Sequence, residues 1–385
     1  QYSVRSQDNR TQYPLGLRNA FFEINIGYIN YPFSNSHVYS GFAADRIVIP
    51  HTAVRIIPFG YNLNDYLSLQ ISYMRPVNWV RYENVNNDNK DHVVFMNVGG
   101  FTLKGQYPVL GKIWLFGEGG LGVITRSGFK SNLYPFDQVM EEANYATFLF
   151  GAGVKYKLNK NWDLQFTAAY SPANSKNNQP YTVFYGGGFA FNMYELPEEK
   201  VNKNKSDRFV FPRNMIQVGY TTNALGYGVN NFVSEGKIPV FWGGKAEVQD
   251  GITIHYQRNA FHTLKIFSLD WGASFSHYTS KLNKQQFVAL SLFPVFMFTP
   301  IHSKYVDLYF NYSVAGPSYI SGLEIDGRHT GPEFTFQDFM GMGFYFGKNR
   351  KTNVEFRIAH YSNGNIFPDN DGVKIPLTFN LGYTF

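Results

Sequence analysis

The chain has 385 residues, of which only 16% are charged, 18% are aromatic and 44% are hydrophobic, with 36 glycines, no cysteine and a formal charge of +6. A soluble domain carries ~25% charged residues, so this chain is built to present apolar and aromatic side chains to something other than water. The missing cysteine excludes a disulfide scaffold, a thiolate metal site and a cysteine nucleophile, and no run of ~18 apolar residues offers a transmembrane helix.

The basic pI of 9.1 does not point to nucleic acid. Lys and Arg cluster in short turns such as Lys348–Lys351 and Lys200–Lys205, and are not interleaved with aromatics along one face. His255, His262, His277, His302 and His329 lack metal-ligand spacing, so neither a metal nor another cofactor is expected. A chain opening at Gln1 without a basic and apolar leader fits an exported protein whose signal peptide has been cleaved.

Period-two alternation predicts strands near 20–30, 52–61, 66–77, 92–104, 112–125, 146–158, 162–171 and 181–193. Residues 162–170 show the pattern: Trp162, Leu164, Phe166 and Tyr170 share one face, against Asp163, Gln165 and Thr167. Gly119–Gly120 and Gly186–Gly188 fall inside strands, where glycine permits close packing in a small barrel. A charged stretch from Glu195 to Arg208 follows. Strands are then predicted near 214–222, 245–258, 264–279, 286–299, 304–314, 335–347, 352–362 and 376–385. In the last, Leu377, Phe379, Leu381, Tyr383 and Phe385 alternate with Thr378, Asn380, Gly382 and Thr384.

Segments of about ten residues, a polar face rich in Gly, Thr, Asn and Gln, and short turns alternating with long loops describe a transmembrane barrel rather than a soluble sandwich. Lipid supplies no partner to a backbone N–H or C=O, so the sheet must close on itself. Eight strands close a minimal barrel with a side-chain-filled interior. The fold class is therefore all-β: two tandem eight-stranded antiparallel outer-membrane barrels at 1–194 and 214–385, joined by a charged periplasmic linker at 195–213. The alternative is one barrel of about 14 to 16 strands, which could enclose a channel and act as a porin or transporter. Ending on Phe385 after an aromatic strand resembles the C-terminal signature of outer-membrane barrels. Residues 151–172 and 181–196 resemble the closing hairpin of small OmpA-like barrels.

The candidate chemistry lies in residues 352–376. Val354, Phe356 and Ile358 alternate with Glu355, Arg357 and Ala359, and the apolar parity carries His360 and Ser362 onto the lipid-facing side. Residues i and i+2 of a strand lie ~6.6 Å apart and point the same way. Polar groups facing hydrocarbon are costly unless paired or near the interface. With a periplasmic C-terminus, the loop at 363–376 is extracellular, and the pair sits at the outer leaflet. There an imidazole could take the hydroxyl proton for attack on an acyl ester, with amide donors holding the oxyanion.

His360–Tyr361–Ser362–Asn363 followed by Asn370–Asp371–Gly372 resembles the lipid A 3-O-deacylase family, the PagL-type barrels, and residues 336–363 resemble that family's preceding hairpin. The resemblance implies an eight-stranded barrel with an active site on its outer wall and lipid A as substrate. It implies Ser362 as nucleophile, His360 as general base, Asn370 as oxyanion donor and Asn363 as supporting amide. One departure stands out. The family's acid two residues after the glycine is here Lys374, which cannot accept the imidazole N–H bond. Asp371 and Asp369 are the nearest substitutes. The expected function is hydrolysis of a lipid A acyl ester. The alternative is a weak or inactive relative that binds lipopolysaccharide or serves as a subunit among other outer-membrane proteins. Lys374 and Arg328 are candidate contacts for lipid phosphates.

Overall fold

The computed structural model describes residues 9–133, 137–205, 209–233, 242–364, 366–367 and 369–385. The chain divides into two units, each holding a closed eight-stranded barrel.

The first barrel comprises β1 (Ala20–Asn30), β2 (Thr52–Asn62), β3 (Leu67–Pro76), β4 (Met96–Leu110), β5 (Ile113–Arg126), β6 (Ala143–Lys157), β7 (Trp162–Ser171) and β8 (Thr182–Met193). It closes by antiparallel pairing of β1 with both β8 and β2. On β1, Phe22, Ile24 and Ile26 are exposed on the outer wall, whereas Glu23 and Asn25 are buried. Inside, Arg55 Nη2 meets Glu118 Oε1 at 2.5 Å and Lys104 Nζ meets Glu23 Oε1 at 2.6 Å. Gln70 also donates to Glu118, and Gln165 to Glu23. The predicted close packing at the strand glycines is real at Gly188, where a methyl group would overlap the Ile24 carbonyl. A three-stranded sheet of Ala44–Val48, Val80–Val85 and Asp91–Val94 stands apart from the barrel ladder. The sequence reading has no strand at Ala44–Val48 or Val80–Val85, which are short, and takes Asp91–Val94 only as the start of a longer strand.

The second barrel comprises β9 (Asn214–Thr222), β10 (Ala246–His262), β11 (Phe267–Ser280), β12 (Gln286–His302), β13 (Val306–Ile320), β14 (Phe334–Phe346), β15 (Thr352–Ser362) and β16 (Val373–Thr384). It closes through β9, which pairs with β16 and β10. This separate closure rules out a single barrel of about 14 to 16 strands. Side chains fill the interior. The Glu355 carboxylate accepts from Arg357 Nε at 2.6 Å, the Tyr309 hydroxyl at 2.7 Å and Asn311 Nδ2 at 3.0 Å. Gln257 and Asn259 donate to Asp270 at 2.7 and 2.6 Å.

Several boundaries differ from the sequence expectation, some of them for a reason visible locally. The strand expected at 92–104 divides at Phe95, whose N–H donates to Ser127 Oγ. The strand expected to stop at 314 continues to Ile320 across a bulge between Ser313 and Gly316. The last strand begins at Val373 rather than 376, because Val373 and Lys374 pair with β15 and also with Ala246 and Glu247 of β10. Within the expected linker there is regular structure. Glu198–Lys205 form helix α1, with Glu198 and Glu199 in its first turn and Lys203 and Lys205 in its last, a placement that complements the helix dipole. Phe211 stacks on His262 of the second barrel at 4.2 Å, and residues 9–14 group with that barrel rather than with the first.

Both outer walls are apolar. Val218, Ile254 and Leu381 are cross-strand neighbours on one of them, all exposed. No helix among the described residues is long and apolar enough to cross a membrane, and the apolar outer walls are made of strands. A charge on this band has no water partner. Val218→Arg is expected to destabilise the barrel in lipid vesicles by about 2–4 kcal/mol. Leu282→Arg, in an exposed turn, is expected to stay within ~0.5 kcal/mol. Urea titration of the two variants checks the difference.

Candidate functional site on the outer wall

Strand β15 sets the site. Glu355 and Arg357 point into the barrel, where Arg357 also contacts His255 Nδ1 at 2.8 Å and Gln217 at 3.1 Å. Alternation then fixes Val354, Phe356, Ile358, His360 and Ser362 on the outer face. The packing agrees. Ile358 clusters with Val233, Trp242, Met340 and Leu377, separately from the luminal cluster that holds Ala359 and Tyr361.

His360 does not lie bare against lipid, being only 1% exposed. The Trp242 ring covers it, with centroids 4.6 Å apart. Trp242 belongs to the connection between β9 and β10, which also carries the five-residue helix α2 (Gly228–Phe232). Asn230 of α2 anchors this connection by donating to the Ile375 carbonyl at 2.9 Å.

Ser362 lies at the end of β15 and is half-buried. Its Oγ accepts from Asn370 Nδ2 at 3.0 Å and from the Gly364 N–H at 3.2 Å. The amide of Asn370 is oriented by the Asn363 backbone N–H, which donates to its Oδ1 at 2.9 Å. The Asn363 side-chain amide itself reaches the Asp369 carbonyl at 3.5 Å. Ser362 makes no hydrogen bond to His360; its hydroxyl is turned to Asn370. Gly364 is a donor that the motif did not single out. Gly372 has φ +65, and a methyl group there would lie 3.1 Å from Gly244 Cα, so this close approach requires glycine.

Neither carboxylate considered as a substitute acid is ion-paired with His360. Asp371 pairs with Lys245 Nζ at 2.6 Å, and Asp369 is exposed on the loop with φ +59. Lys374 is paired with His360 in the ladder. Its ammonium, however, reaches Asn231 Oδ1 at 3.2 Å and Glu247 Oε1 at 3.7 Å. Arg328 is exposed on a short hairpin, which is joined to the Asp371 loop by the Asp371 N–H to His329 carbonyl bond at 3.0 Å. Asp326 stiffens the same hairpin. Burial acts to raise its pKa, but bonds from the Leu282 and Asn283 N–H groups and the Ser280 hydroxyl hold it below the usual value.

The carboxylate that does face His360 is Asp338, its partner on β14. Asp338 Oδ2 lies 3.7 Å from His360 Nε2. Sequence reasoning missed it, although a signal was present. Phe334, Phe336, Met340 and Met342 share its parity, so an acid interrupts an otherwise apolar outer face.

Comparison with known proteins gives a separate match within each barrel. Residues 250–384 match the family model for lipid A 3-O-deacylase (PagL), and residues 52–193 match that for the OmpA-like transmembrane domain. No curated protein matches the sequence closely enough to count as a relative. Among solved structures, the outer membrane enzyme PagL aligns at 17% identity and TM-score 0.32, over 45% of this chain and 99% of that chain. The N-terminal β-barrel domain of Pseudomonas aeruginosa OprF aligns at 18% identity and TM-score 0.29, over 46% and 98%. Neisserial surface protein A aligns at 12% identity and TM-score 0.29, over 45% and 96%. The protein is thus an integral outer-membrane protein of two eight-stranded barrels, the first matching the OmpA-like transmembrane domain and the second the lipid A 3-O-deacylase family.

Proposed function

We propose that the second barrel hydrolyses an acyl ester of lipid A at the outer leaflet, with Ser362 as nucleophile and His360 as general base. The observation that carries this reading is a serine hydroxyl on the outer wall, held by Asn370 Nδ2 and the Gly364 N–H one strand step from an imidazole on the same face. In the first step, the Ser362 hydroxyl proton passes to His360 as Oγ bonds to the ester carbonyl carbon. The carbonyl oxygen gains charge, and Asn370 and Gly364 are the adjacent donors for it. The carbon–oxygen bond to the sugar then breaks, and the proton on His360 goes to the departing alkoxide. Water, deprotonated by the same imidazole, releases the fatty acid and restores Ser362. Lys374 and Arg328 are the cations proposed to meet the lipid phosphates.

A second reading is favoured by Trp242, which covers His360, and by the absence of a Ser362–His360 bond. In that reading the barrel binds lipopolysaccharide, or serves beside other outer-membrane proteins, without efficient turnover. Mass spectrometry of lipid A after incubation with the purified protein separates the two. Loss of one acyl chain that Ser362→Ala abolishes is the expected result. Unchanged lipid A with folded protein supports the second reading.

A further inference from the structure

A carboxylate on the membrane-facing wall of a barrel is costly unless something holds it, and Asp338 has a polar group beside each of its oxygens. Its partner across the β14–β15 ladder is His360, whose Nε2 lies 3.7 Å from Oδ2. Its other oxygen accepts the backbone N–H of Ala315.

That N–H is available because β13 bulges there. The register with β14 shifts between Ser313 and Gly316, and Ala315 takes φ +53. A non-glycine residue in this region is strained, and such strain persists where the surroundings enforce it. The surroundings here are tight: a methyl group on Gly316 would lie 2.7 Å from Phe293 Cβ and 2.8 Å from the Leu292 carbonyl. Bulges beside functional sites commonly re-aim a group, and this one aims an N–H at Asp338.

The imidazole completes the arrangement. Nε2 faces the carboxylate, whereas Nδ1 is buried and has no hydrogen-bond partner among the described residues. One ring nitrogen is thus turned to an acceptor, and the other is free to take a proton. A separation of 3.7 Å exceeds a formed hydrogen bond, but catalytic bonds are often long without substrate and tighten in the complex.

We infer that Asp338 is the positioning carboxylate of His360, supplied from the neighbouring strand β14 where the loop after the Asn–Asp–Gly turn offers only Lys374. The inference rests on the esterase reading above. Asp338 holds the Nε2–H tautomer, leaves Nδ1 as the base, and stabilises the imidazolium formed when Ser362 loses its proton.

The test uses the full-length protein in detergent with lipid A as substrate. Asp338→Asn keeps the shape and removes the charge. It is expected to lower kcat about 10^2- to 10^4-fold with KM nearly unchanged, and Asp338→Glu is expected to recover part of the loss. An Asp338→Asn protein within threefold of the wild type, while Ser362→Ala is inactive, overturns the assignment and leaves the esterase reading standing. A wild type with no turnover overturns the esterase reading instead. In that case 15N NMR of His360, identified by comparison with His360→Gln, decides the positioning role by itself. An Nε2–H tautomer in the wild type that is lost in Asp338→Asn supports it, and an unchanged tautomer overturns it.

Discussion

Replacing Glu355 with alanine is expected to destabilise the second barrel by about 3–5 kcal/mol, more than a charge placed on its lipid face. Glu355 is completely buried, and its carboxylate is the common acceptor for Arg357, Tyr309 and Asn311. Without it, the Arg357 guanidinium stays inside the barrel beside Gln217, the His255 ring and the face of Phe339, 4.2 Å away. None of these neutral groups replaces the lost charge. Most of the cost is therefore the stranded cation rather than the bond itself. The double variant Glu355→Leu/Arg357→Met is accordingly expected to cost less than Glu355→Ala, because both charges leave together. Urea titration in detergent, with Trp271 kept as the only tryptophan, reports the second barrel alone. A loss below ~1 kcal/mol for the single variant would show that water reaches the interior and solvates Arg357.

The second large effect concerns His360. On the proposed reading, His360→Ala is expected to lower kcat for acyl release about 10^2- to 10^4-fold, the range set by removal of a general base. KM should change little if the acyl chains are held by the outer wall rather than by the ring. Because Trp242 packs on His360, folding must be checked on the same sample by urea titration. A variant with full activity and wild-type stability would remove His360 from the mechanism. Ser362 would then need another base, and none is hydrogen-bonded to it, since its contacts are Asn370 and Gly364.

The strands were legible in the sequence because hydrocarbon outside and packed polar groups inside impose strict alternation. Parity alone placed Glu355 and Arg357 inside and His360 and Ser362 outside. The expected strand ends failed where partners, rather than residue type, decide them. Val373 and Lys374 are strand residues because Ala246 and Glu247 come alongside, and Ala315 continues β13 because the ladder tolerates a bulge.

The sequence by itself determined the fold class, the two groups of eight strands, the outward face of His360 and Ser362, and the absence of the expected acid at Lys374. These follow from local pattern, since period-two alternation and motif spacing are properties of contiguous residues. Only the tertiary structure decided that Asp338 faces His360, that Trp242 covers that imidazole, and that the Asn363 backbone N–H bonds to Asn370. Those facts depend on register between strands far apart in the chain and on where a distant connection comes to rest, and no local periodicity encodes either.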